Sequence, residues 1–215
     1  VEKWIIGEHV SGVVVPRLLN PTKSFPFAER KLQSTRAVAE AFNRHWSDAA
    51  AEIQTGRLEK WLASSREWLV MAESVTILRE VWAGGGGKMS TDELISRICT
   101  VLDVHGPIRY KGLAVSLDGI GPLLAEAYME GREELAQKLG SMIAMGLPTA
   151  WISANSERRK ALAGSTAMFT RIAQYIKKPG LGYGLERCLY ELNPTLRCFS
   201  PLLAPDVSGD PVALL

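Results

Sequence analysis

Gly84-Gly85-Gly86-Gly87-Lys88-Met89-Ser90-Thr91 brings together backbone freedom, a cation and two hydroxyls, the ingredients of a phosphate-binding loop. Backbone N–H groups at a helix N-terminus cradle anions, and Gly87, Lys88 and Ser90 are the residues that would do so here. The spacing departs from that of a nucleotide loop. Trp82 stands where the first glycine is required, Met89 follows the lysine, and the segment ahead has helical periodicity. The pattern therefore predicts a flexible connector between helices, with Lys88 in solvent. A second glycine-rich stretch, Pro179-Gly180-Leu181-Gly182-Tyr183-Gly184, superficially resembles a dinucleotide turn but has Leu185 in place of the third glycine and a helix in front. Gly182 and Gly184 are expected to reverse the chain between helices, with anion binding at that helix start as the alternative.

His105, Arg109, Tyr110 and Lys111 make the better recognition candidate, because they place two cations, a phenol and an imidazole in one loop between Gly106-Pro107 and Gly112. Arginine matches carboxylate or phosphate by bidentate bonding, and tyrosine adds contact area with a polar tip. The competing expectation is a solvated loop that Ile108 and Tyr110 pin to the core. No HExxH, GxSxG or SxxK is present, and no residue pattern calls for a metal or a cofactor. Cys99, Cys188 and Cys198 form no CxxC and no ligand spacing with His9, His45 or His105. Cys99 and Cys188 fall at apolar positions of helical patterns and are expected to pack as small hydrophobes. A sparse, odd cysteine count suits a reducing compartment, most simply the cytoplasm.

The elements that would position these groups read as an all-α fold, a multi-helix bundle or irregular helical array with a short N-terminal β-hairpin or extended segment. Residues 1–24 read as extended, with β-branched runs at 3–6 and 12–15. Residues 25–83 form a Trp-rich helical half, entered by a helix capped by Ser24 with Pro26 in its first turn. Residues 84–89 are the glycine connector. Residues 90–193 form a second helical half, opened by a Ser90/Glu93 capping box. In it, residues 103–112 form a polar-aromatic loop, and a long helix runs from Asn155 or Ser156 to about Ile176. Residues 194–215 form a Pro-rich tail. Ala39-Glu40-Ala41-Phe42 recurs as Ala125-Glu126-Ala127-Tyr128, with Ala50/Ala136 and Ile53/Leu139 in register. One imperfect copy in an alanine-rich helical chain does not by itself establish a repeat.

A net charge of +2 over 215 residues gives no footprint for nucleic acid or an acidic membrane surface. The most apolar long stretch, 112–125, is short for a membrane span and carries Asp118. Val1 at one end and the apolar Val212–Leu215 at the other read as the borders of a domain within a longer protein. The expectation is a non-catalytic protein-interaction or regulatory module of a larger cytoplasmic protein, its partners being other proteins or further domains of the same chain. The alternative is an enzyme or ligand-binding domain for a small phosphate- or carboxylate-bearing molecule.

Overall fold

Phe25 and Phe27 alternate with the exposed Pro26, so that two aromatic rings face inward from a three-residue strand. The computed structural model of the chain describes residues 23–84, 89–155, 162–178, 180 and 182–197. In it β1 (Phe25–Phe27) pairs antiparallel with β2 (Arg30–Leu32) through a turn in which Ala28 and Glu29 both have positive φ. The helix expected from Ser24 and Pro26 is therefore a hairpin. The first helix, α1 (Thr35–Arg44), starts ten residues later, where the Ser34 hydroxyl accepts from Ala37 N at 3.2 Å. The hairpin expected over residues 3–15 lies outside the described residues.

Helices α2 (Trp46–Gln54), α3 (Arg57–Ala63) and α4 (Leu69–Ala83) follow, with a 3-10 turn at Arg66–Trp68 before α4. Next comes α5 (Thr91–Leu102), which presents Leu94, Ile95, Ile98, Cys99 and Leu102 to the core. The polar-aromatic loop turns out to contain a second antiparallel hairpin, β3 (Ile108–Tyr110) with β4 (Leu113–Val115). After it come α6 (Ile120–Met129), α7 (Glu133–Ala144), α8 (Leu147–Ala154), α9 (Ala163–Tyr175) and α10 (Leu185–Leu192). The long helix expected from Asn155 or Ser156 to about Ile176 is corrected to α9, which starts at Ala163, residues 156–161 lying outside the described residues. Asn155 ends α8 rather than starting a helix, and Pro148 lies in the first turn of α8, where its missing N–H costs nothing. Among the described residues the fold is mainly α-helical, as expected.

The order of elements runs twice. A hairpin and five helices occupy residues 25–102, and a hairpin and five helices occupy residues 108–192. Equivalent helices pack in equivalent pairs: α1 on α5 as α6 on α10, α3 on α4 as α8 on α9, and α4 on α5 as α9 on α10. The correspondence reaches single bonds. Trp61 in α3 donates its indole N–H to the carbonyl of Lys23, two residues ahead of β1, at 2.8 Å. Trp151 in α8 donates to Gly106, two residues ahead of β3, at 2.9 Å. Gly56 and Gly146, each five residues before its tryptophan, share φ of 69°, a left-handed corner that other residues enter at a cost. Ala39–Phe42 and Ala125–Tyr128 fall on the equivalent helices α1 and α6. The recurrence in sequence thus falls on helices that hold equivalent places in the two units.

The two cores divide along the same line. One gathers Phe25, Phe42, Leu58, Leu62 and Ile98 with their neighbours, and the other Ile108, Ile120, Leu124, Leu139 and Ile172. Each fully buried side chain of this size contributes about 1.5–3 kcal/mol. Helix α5 follows the glycine run yet packs on α1 and α4, so the run falls inside the first unit. The second unit rests its β3 and α8 on α5, and Trp46 touches both cores.

Candidate functional site

The recognition loop is built into the junction between the two units. Arg109 is buried, and its guanidinium meets the Asp103 carboxylate at 2.5 Å. Tyr110 is buried edge-on against Trp46, with ring centroids 5.6 Å apart. Lys111 turns the hairpin with positive φ and places its ammonium 2.6 Å from Asp92. That partner holds the Lys111 ammonium above its ordinary pKa range. Gly112 N donates to Asn43 Oδ1 at 3.1 Å. Both cations of the loop thus already have carboxylate partners, and an incoming anion would have to compete with Asp103 and Asp92. Only His105 points elsewhere, being exposed at the rim of a cleft.

Of the glycine-loop residues, Gly87 and Lys88 lie outside the described residues. Ser90 caps α5, its hydroxyl accepting from Glu93 N at 3.1 Å. The Glu93 carboxylate turns to Arg97 instead of back to the cap, at 2.7 Å. Gly184 precedes α10, and its N–H donates to the Tyr175 carbonyl at 3.0 Å. Gly182 lies in the same reversal between α9 and α10 with positive φ. The structure brings Gly182 and Gly184 together with each other, but not with the His105 loop or Ser90.

Nucleophile chemistry finds no support in the two described thiols, Cys198 lying outside the described residues. Burial pushes the Cys99 thiol up to about 12 and the Cys188 thiol up to about 11, which keeps both protonated at neutral pH. Their S–H groups face the Ala39 and Ile172 carbonyls. Among the described residues no group of three His, Cys, Asp or Glu side chains is placed to hold a metal ion. Among those residues, too, no helix is long and apolar enough to cross a membrane.

Two of the concave surfaces among the described residues bear on recognition. The first is the cleft at His105, about 620 Å³, walled by Ser116, Asp118, Trp151, Leu162 and Ser165. A hydrogen bond from Ser116 holds the Asp118 carboxyl below its ordinary range. Trp151 and Leu162, the residue just before α9, line the cleft together.

The second surface lies where the units meet. On α4, Val70, Ile77 and Val81 fall within about 40° of one another at 100° per residue, and they are 74%, 53% and 53% exposed. Beside this stripe runs a groove of about 460 Å³ between α4, α5 and α8, with Leu78, Arg97, Thr100, Ala150 and Ala154 in its walls. The opposite edge of the stripe carries the exposed carboxylates Glu73 and Glu80. Sequence reading assigned Val70, Ile77 and Val81 to no site, although their spacing of seven and four was visible. What was missing is that Ala72 and Val75, with Met71, Leu78 and Trp82 packed beside them, turn the other side of α4 to the core.

No protein-family model, curated protein or solved structure matches the chain. Among the described residues, then, the geometry offers apolar contact area with a charged border more readily than it offers a set of converging acid, base and nucleophile.

Proposed function

We propose that the protein is a non-catalytic helical interaction module that receives an amphipathic partner helix along α4 and the adjoining groove. One observation carries the reading: the exposed Val70–Ile77–Val81 stripe beside a groove whose walls are largely small residues. Isolated exposed apolar residues need no explanation, but three in line at helical spacing are the anchor pattern of helix-in-groove recognition. Ala150, Ala154 and Thr100 allow a partner backbone to come close. The Glu73 and Glu80 border selects a partner whose apolar face is flanked by lysine or arginine on that side. The partner is another protein or a further domain of the same polypeptide, and the module belongs to a larger cytoplasmic protein. Free Cys99 and Cys188 support that setting.

Two synthetic 18-residue amphipathic peptides test this, one with leucine on its apolar face and lysine flanks, the other with glutamate flanks. Fluorescence anisotropy should show the lysine-flanked peptide binding at least roughly tenfold more tightly, the sign expected of an acidic border. Ile77→Asp should abolish that binding. Binding of neither peptide, or binding indifferent to Ile77→Asp, rejects the reading.

A further inference from the structure

The two sides of the α4 stripe differ in kind. At about 100° per residue, Ser74 and Leu78 lie about 40° and 80° to one side of Val70, and Glu73 and Glu80 about 60° and 80° to the other. The first side borders the groove between α4, α5 and α8, and among the described residues Arg97 is the one charged side chain in its walls. Three of the hydroxyls there are engaged by backbone carbonyls. Ser74 donates to Val70 at 2.8 Å, Thr100 to Ser96 at 3.1 Å and Thr149 to Gly146 at 2.7 Å, so they offer lone pairs and not a proton.

Arg97 is therefore the cation of the groove, and its own chain satisfies it only in part. The Glu93 carboxylate, one turn back on α5, meets Nη2 at 2.7 Å. The Nε–H is buried and has no acceptor, while the side chain as a whole is 34% exposed. A guanidinium has five N–H groups in a fork, so contact at one nitrogen leaves an edge for a second carboxylate. Arg109 differs in having no such open edge, its side chain being 5% exposed. A buried donor without an acceptor is uncommon in folded proteins, and a carboxylate brought to its guanidinium makes a charge-assisted bond, the stronger kind.

We propose that Arg97 is a specificity-determining residue of this groove: the partner helix carries aspartate or glutamate along the flank that faces α5, opposite the lysine or arginine flank that faces Glu73 and Glu80. The inference rests on the α4 stripe being a docking face. The apolar residues of the partner then sit between two edges of opposite sign, carboxylates at the α4 border and a guanidinium across the groove. Turning such a helix end for end exchanges its flanks, which sets its carboxylates against Glu73 and Glu80 and its lysines against Arg97. The two edges therefore select the direction in which the partner runs as well as its charge pattern.

Three amphipathic peptides with the same leucine face test this by fluorescence anisotropy. All carry lysine on one flank, and the other flank carries glutamate, glutamine or lysine. The parent protein should bind the lysine/glutamate peptide roughly fivefold more tightly than the lysine/glutamine peptide, the size of one partly exposed charge pair, and the lysine/lysine peptide most weakly. Arg97→Gln, checked for folding by circular dichroism, should level the first two while still binding both. Because the same peptides meet both proteins, differences in their own helicity cancel. A parent protein that does not prefer glutamate to glutamine overturns the proposal without recourse to a variant, and so does a preference that survives Arg97→Gln unchanged. In either case, binding that is lost in Ile77→Asp leaves the docking reading standing. Binding of none of the three peptides overturns the docking reading, and the proposal with it.

Discussion

The indole nitrogen of Trp46 and the carboxylate of Asp92 are 2.8 Å apart, though 46 residues separate them in sequence. The other oxygen of Asp92 takes the Lys111 ammonium at 2.6 Å. One side chain in the first turn of α5 thus ties α2 to the hairpin of the second unit. Asp92 also faces the positive end of the α5 dipole, which favours its charge.

Asp92→Ala should therefore cost about 1–3 kcal/mol, since the Trp46 indole N–H loses its partner in a half-buried place. Lys111→Met should cost less, about 0–1 kcal/mol, because the Lys111 end of the pair is exposed to water. Urea unfolding of both variants checks the order. An Asp92→Ala midpoint equal to that of the parent would show that the joint contributes nothing.

Arg109→Ala should cost more than either, about 3–5 kcal/mol, because it leaves the Asp103 carboxylate, only 12% exposed, with the exposed Arg36 at 4.0 Å in place of its close partner. Replacing both partners, as Arg109→Met with Asp103→Leu, should recover most of the loss, since neither buried charge then remains. Chemical denaturation of the single and double variants measures the coupling. If anion recognition were the role of Arg109, the single variant would lose stabilisation by phosphate while keeping its stability.

Which of these features could be read in sequence depended on local signals. Ser90 announced α5 because a hydroxyl three residues before an acid and ahead of an apolar run has few other readings. The first hairpin was hidden because its turn residues, Ala28 and Glu29, are not the Asn-Gly or Asp-Gly types that mark such turns. The second hairpin did carry a signal, Lys111-Gly112 between alternating apolar residues, but Arg109 and Lys111 suggested a solvated loop. Arg109 is inside only because Asp103, six residues away, comes to meet it. The correspondence of the two units is faint in sequence because few residues match, those that do including positions with a bond or a corner: Trp61 and Trp151, Gly56 and Gly146. That the recognition loop is a junction could not be seen until the partner unit was in place.

The two buried thiols make a prediction about alkaline pH. Burial raises both, so their contribution to stability is complete below the ordinary thiol pKa of about 8.5. It is lost as pH rises toward the folded values of about 12 for Cys99 and about 11 for Cys188, because the unfolded chain ionises first. With Cys198→Ser removing the remaining thiol, iodoacetamide at pH 8 should label the folded protein only as fast as it unfolds. Rapid labelling of either cysteine in the native state, read by mass spectrometry, would contradict the burial argument.

The stripe on α4 separates a docking face from a core face of one helix. Ile77→Asp and Val81→Asp put a charge where the side chain already meets water, so each should change stability by no more than about 0.5 kcal/mol. Val75, two residues from Ile77, is fully buried, and Val75→Asp places an unpaired carboxylate among Leu62, Ile98 and their neighbours. That variant should fail to fold or should lose several kcal/mol, a loss of the size measured when a buried charge has no partner. Thermal unfolding of the three variants therefore tests the geometry of α4 independently of any partner. A large loss at Ile77 or Val81 would mean that something of this chain covers the stripe, and the peptide would then have to displace it. Unchanged stability together with lost binding of the lysine-flanked peptide is the combination that a surface kept for a partner requires.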